Sequence, residues 1–171
     1  LLGVINGLHA FLPGMLDRDR GHIVNVASMA AKVTTPGMSV YCATKYAVAA
    51  LSRAVRAEIA SSAVTVSTVF PTAVHTELTA GVALDLLPTR QPEDIAAAIV
   101  DSARHPRREI TVPGWLSPMG VVEEVAPGGT SIRIWVSATF SKEAIRPAII
   151  TSCTRFKPVP SMMTVVSACP T

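Results

Sequence analysis

The sequence is poor in aromatic residues, in cysteine and in charge, and each shortage excludes something. Aromatics make up only 5% of the 171 residues, and none is interleaved with the small basic clusters at Arg18 and Arg20 or at Arg104, Arg107 and Arg108. A nucleic-acid surface combines a basic stripe with stacking platforms, so these clusters read as solvated surface and no nucleic-acid partner is expected. The three cysteines, Cys42, Cys153 and Cys169, are odd in number and scattered. They form no disulfide framework, which points to a reducing, cytoplasmic setting. His9, His22, His75 and His105 share no short ligand spacing, so no metal site is expected. No run approaches the ~18 apolar residues of a membrane span. Internal repeats are missing, and so is a glycine-rich phosphate loop. The tight pair Gly128-Gly129 follows Pro127 without a convincing strand–turn–helix context and reads as an ordinary turn.

What remains is 49% hydrophobic and only 16% charged, with a formal charge of +3. That is the composition of an Ala- and Val-built α/β interior, in a chain long enough for one domain with a sizeable core. Leu1, Ile5, Leu8 and Leu12 fall at helical spacing and predict a helix over 1–16, perturbed near its end by Pro13-Gly14. The β-branched stretch His22–Ala27 predicts a fully buried parallel strand. Alanines at 43, 47, 49, 50, 54, 57 and 60 mark a helix over 40–60, small enough on its surface to approach its own sheet or a second helix closely. Val64–Phe70 predicts a second strand. Leu84, Leu86 and Leu87 lie in an irregular stretch over 78–90, either a substrate lid or a hydrophobic clamp. Pro92-Glu93-Asp94 opens a helix that Arg104-His105-Pro106 closes, and Glu109–Pro113 gives a last strand. The body is thus expected over 1–116. The remainder, 117–171, is a tail of scattered Ser, Thr and Pro in which Ser131–Val136 alone has a strand-like pattern.

Chemistry concentrates between Asn25 and Lys45. Tyr41 and Lys45 are one helical turn apart and share a face. A free phenol, with a pKa near ~10, is a poor base at neutral pH. An adjacent ammonium is expected to favour the phenolate and lower that pKa. Ser28, delivered at the end of a strand, is placed to hold a substrate carbonyl or alcohol against the phenol. Together the three groups describe a proton-transfer site for alcohol–ketone chemistry.

The full pattern is a strand, Asn25-x-x-Ser28, a short gap, Tyr41-x-x-x-Lys45 opening a small-residue helix, and a strand ending in Pro71. It resembles the short-chain dehydrogenase/reductase family over roughly residues 1–115. The resemblance implies an α/β fold, a partial Rossmann-like doubly wound parallel sheet with its amino-terminal half missing. It implies an NAD(P)-dependent oxidoreductase acting on a small-molecule alcohol or carbonyl substrate, with NAD or NADP as cofactor. Ser28, Tyr41 and Lys45 correspond to the family's catalytic Ser, Tyr and Lys. Tyr41, Lys45, Pro71, Thr72, Val74 and Thr76 correspond to its nicotinamide-side contacts, with Thr72 standing where the family usually has Gly. The family's catalytic Asn would fall just before Leu1, and its glycine-rich turn far upstream. The resemblance also implies homo-oligomers built through the helices over 1–16 and 40–60. The alternative is a non-catalytic, truncated chain that only self-associates, with a bare sheet edge along Ile23–Val26.

Overall fold

The computed structural model describes residues 1–34, 37–75, 89–119 and 165–167. Its elements are α1 (Leu2–Asp17), β1 (His22–Val26), a 3-10 turn (Met29–Ala31), α2 (Ser39–Glu58), β2 (Thr65–Pro71), α3 (Pro92–Arg104), β3 (Glu109–Val112), a second 3-10 turn (Gly114–Leu116) and β4 (Val165–Ser167). The strands form one sheet in the order β3-β2-β1-β4. β1, β2 and β3 are parallel, with Val26 opposite Val69 and Val69 opposite Ile110. Every residue of β1 is buried, as expected of a parallel strand covered on both faces.

Alternation along the strands sorts side chains into two cores. Ile23, Val66 and Phe70 pack with Val4, Leu8 and Met15 of α1 and with Val48, Ala49 and Val55 of α2. On the other face Val24, Val69 and Ile110 pack with Ile95 of α3. This is an α/β, Rossmann-like architecture. α3 starts as its sequence predicts: Pro92 occupies the first turn, the Gln91 N–H donates to the Asp94 carboxylate at 3.1 Å, and the Asp94 N–H donates to the Gln91 carbonyl at 3.1 Å. At the start of β3, the Glu109 carboxylate receives Lys32 and Arg53, each at 2.9 Å, while the Lys32 ammonium lies 4.2 Å from the centre of the Phe70 ring.

Two expectations are corrected. α1 does not falter at Pro13 but continues through it to Asp17. Proline removes one backbone donor and leaves the His9 carbonyl without its helical partner, but His9 and Pro13 are both exposed, so water can take that carbonyl. The last turn is anchored by Met15, which is 0% exposed, and by the Arg18 guanidinium, which donates to the Gly14 carbonyl at 2.7 Å. Nor is the edge of β1 bare. β4 pairs with it in antiparallel register, His22 opposite Ser167 and Val24 opposite Val165. The lid or clamp over 78–90 falls largely, and Ser131–Val136 and Gly128-Gly129 wholly, outside the described residues.

Candidate active site

β1 delivers Ser28 just past its carboxyl end. Ser28 is extended (φ −173, ψ 161) and caps the following 3-10 turn, its Oγ accepting the Ala30 N–H at 3.1 Å. With that lone pair occupied, the hydroxyl proton is free to point elsewhere, and the Ser28 hydroxyl lies near enough to the Tyr41 phenol to act on its pKa. The chain reaches α2 through Gly37, whose φ of 80 is a left-handed conformation that glycine adopts without cost. Tyr41 then lies in the first turn of α2 and Lys45 one turn further. Lys45 is only 6% exposed. Its ammonium donates to the Val26 carbonyl at 3.4 Å and stands 5.6 Å from the centre of the Tyr41 ring. Strand end, cap and helix face thus bring Ser28, Tyr41 and Lys45 together.

The electrostatics differ from the sequence-based expectation. Burial raises the Tyr41 pKa above its ordinary value; the neighbouring Ser28 hydroxyl opposes this, and Cys42 adds to it. Burial likewise lowers the Lys45 pKa, to about 8. An ammonium beside the ring face does not by itself create a phenolate here. Desolvation disfavours both charged forms, so Tyr41 is a neutral phenol at pH 7, with the Ser28 hydroxyl beside it.

Because β1 and β2 are parallel and Val26 lies opposite Val69, the Pro71 end of β2 lies level with Ser28. Open α/β sheets bind ligands at such carboxyl ends. Pro71 is buried and Thr72 half-buried, and the Thr72 N–H donates to the Val112 carbonyl at 2.9 Å. Among the described residues Asp19 is the one non-glycine with positive φ, so Thr72 sits on ordinary backbone where a β-branched residue is unstrained. Val74 is held by a bridge to Arg90, through Arg90 N–H to the Ala73 carbonyl at 2.9 Å and His75 N–H to the Arg90 carbonyl at 3.0 Å. Thr76 lies outside the described residues.

Next to Lys45 a small cavity of ≈ 50 Å³ opens, lined by Leu1, Gly3, Val4, Val26, Thr44 and Val48. It suits water rather than a ligand, since small-molecule pockets run to ~300 Å³ or more. No group of three His, Cys, Asp or Glu side chains among the described residues can hold a metal ion, and no described helix is long and apolar enough to cross a membrane. The hydroxyl, phenol and ammonium donors at the strand ends fit the nicotinamide and ribose side of a dinucleotide. The described residues include no glycine-rich cradle for its pyrophosphate.

Sequence reasoning gave no role to two groups that support this site. One is the Val26 carbonyl that receives Lys45. The other is Asn25, whose amide nitrogen donates to Ser52 Oγ at 2.9 Å. The signal for the second was present: Ser52 follows Lys45 by two helical turns.

A family profile described as short chain dehydrogenase matches residues 1–86. An uncharacterized oxidoreductase of Staphylococcus saprophyticus is 47% identical over 79 residues, covering 45% of this chain and 32% of that protein. Estradiol 17-beta-dehydrogenase 11 of Rattus norvegicus is 31% identical over 121 residues, 69% of this chain and 41% of that protein. A short chain dehydrogenase from Burkholderia cenocepacia, solved in complex with NADP, superposes with a TM-score of 0.66 over 77% of this chain and 54% of that one; at 24% identity this likeness concerns the fold alone. The chain therefore spans between about a third and a little over half the length of these proteins.

Proposed function

The chain belongs to the short chain dehydrogenase family, and from that premise we propose that it carries the proton-transfer and nicotinamide-facing part of an NAD(P)-dependent oxidoreductase interconverting an alcohol and a ketone or aldehyde. The observation that carries this reading is the convergence of Ser28, Tyr41 and Lys45 at the carboxyl end of β1. The Tyr41 phenol holds the proton that moves to or from the substrate oxygen. Ser28, its oxygen fixed by the Ala30 N–H, orients the phenol and polarises the substrate oxygen. Lys45, tethered to the Val26 carbonyl, lines the ribose side. Pro71, Thr72, Val74 and Thr76 are assigned to the nicotinamide side. A bound nicotinamide would supply or take up the hydride. Since Tyr41 is protonated at neutral pH, its residues are set for donation, the direction of carbonyl reduction. We further assign the catalytic body to residues 1–116, the working compartment to the cytoplasm and the chain to the carboxyl-terminal, catalytic half of the family's architecture. The choice between NAD and NADP stays open.

The test is carbonyl-dependent oxidation of NADH and NADPH by this chain joined to a dinucleotide-binding half from the same family, across a panel of ketones and aldehydes. Turnover with at least one pair is expected. A folded protein that binds cofactor yet turns over none of the panel would overturn the reading. One observation favours a second reading, a non-catalytic chain: β4 already occupies the β1 edge over His22–Val24, where a further parallel strand would have to pair. Under that reading the exposed Leu2, Ile5 and Phe11 of α1 mediate association only.

A further inference from the structure

The interface between α2 and β1 is apolar except along one stripe. Tyr41, Lys45, Val48 and Ser52 follow one another at i, i+4, i+7 and i+11, about three whole turns of helix, and therefore share a face. Two of them reach adjacent residues of a single strand. The Lys45 ammonium donates to the Val26 carbonyl at 3.4 Å, and Ser52 Oγ accepts from the Asn25 amide at 2.9 Å. The donor direction is fixed by chemistry. Ser52 commits its only proton to the Val48 carbonyl at 2.8 Å, so the Asn25 side chain must offer N–H and turn its oxygen away. Both residues are 0% exposed. The Asn25 Oδ1 left over is buried without a hydrogen-bond partner.

A buried amide with one orphaned acceptor is a poor stabiliser, because an apolar pair of similar shape would pack there without any unmet group. What it offers over an apolar pair is direction. Leucines and valines allow a helix to slide or rotate on a strand with small loss; a hydrogen bond between Asn25 and Ser52 allows one rotation and one translation. The same rotation decides whether Tyr41 faces Ser28 and whether Lys45 reaches Val26. We propose that Asn25 and Ser52 form a positioning pair that sets the register of α2 on β1, and through it the Tyr41–Ser28 contact. Its functional meaning rests on the proton-transfer reading above, but its geometry stands apart from it.

The chain contains two tyrosines, Tyr41 and Tyr46, so a Tyr46→Phe background leaves one phenol whose ionisation can be followed by ultraviolet absorbance in the 171-residue chain, with no cofactor. In that background Asn25→Leu/Ser52→Ala removes both polar partners together. The double variant is expected to fold with unchanged or higher stability. The Tyr41 midpoint should nevertheless move upward by half a pH unit or more, a threefold or greater fall in acid dissociation, as the phenol loses Ser28. Ser52→Ala alone should move the midpoint the same way, and Ser52→Thr, which keeps the hydroxyl, should restore it. A stable double variant with an unmoved midpoint overturns the proposal. So does a double variant that no longer folds, which would make the pair a stability element instead. Neither readout involves turnover, so failure here leaves the enzyme reading standing, and failure of the turnover test leaves this one standing.

Discussion

At the scale of single residues, burial sets the behaviour of the site more than proximity does. Tyr41 and Lys45 share a helix face, yet each is pushed toward its neutral form. For Lys45 the sign is clear. Its pKa in the folded chain is about 8 against an ordinary 10.5. Below about 8 the amine is protonated in folded and unfolded chains alike, and the cost of burying the charge is fully present. From there to about 10.5 only the unfolded chain still binds the proton, so stability rises with pH. Lys45→Met is therefore expected to stabilise the fold at pH 7 by roughly 1–3 kcal/mol and to abolish that alkaline rise. Thermal melts of both proteins at neutral and alkaline pH would show it; a less stable variant at pH 7 would contradict it. Tyr41→Phe removes the transferable proton and keeps the ring. In an active assembly it should lower kcat by ~10²–10⁴ and cost stability only about 1 kcal/mol, the typical worth of one hydroxyl's hydrogen bonding. Steady-state rates beside a denaturant curve separate the two effects.

At the scale of elements, the junction between α1 and β1 is tighter than its polar sequence suggests. Gly21 ends the turn, and a Cβ there would meet the Met15 side chain at 2.5 Å. Met15 is fully buried under the sheet and cannot swing out without opening a cavity. Gly21→Ala should thus destabilise by about 1–3 kcal/mol through overpacking, although alanine is the smallest substitution available. Chemical denaturation measures the loss, and co-substitution of Met15 by Val should recover part of it. α2 shows the complementary case. Its small residues let Val48, Ala49 and Ser52 sit fully against the sheet, and this close approach is what permits side-chain hydrogen bonds between helix and strand.

At the scale of the whole molecule, the sheet edge is the decisive feature. β4 satisfies the backbone of His22–Val24 from the far end of the chain. An unpaired edge of buried, β-branched strand recruits other chains. Ending the chain after Pro118 deletes β4, and the shortened protein should associate or precipitate where the full chain stays smaller. Sizing chromatography of both at equal concentration decides this; identical elution would mean that β4 does not protect the edge.

The sequence by itself determined the order of the elements from α1 to β3 and the residues proposed for the site. The β-branched run at His22–Val26, the alanine spacing of α2, the proline and acids opening α3 and the Tyr41–Lys45 repeat are local signals, governed by backbone preference and helical period. The same locality placed Ser28 at a strand end. Only the tertiary structure decided matters that depend on what lies across a gap. It decided the pKa directions, because desolvation depends on everything packed around a group. It carried α1 through Pro13, because solvent on that face and Met15 beneath it outweigh one lost hydrogen bond. It paired β1 with β4, more than a hundred residues away in sequence, a contact that no local pattern encodes because strand pairing is read from backbone edges rather than from side-chain periodicity. It also joined Asn25 to Ser52, where a strand residue and a helix residue become partners only once the helix has settled on the sheet.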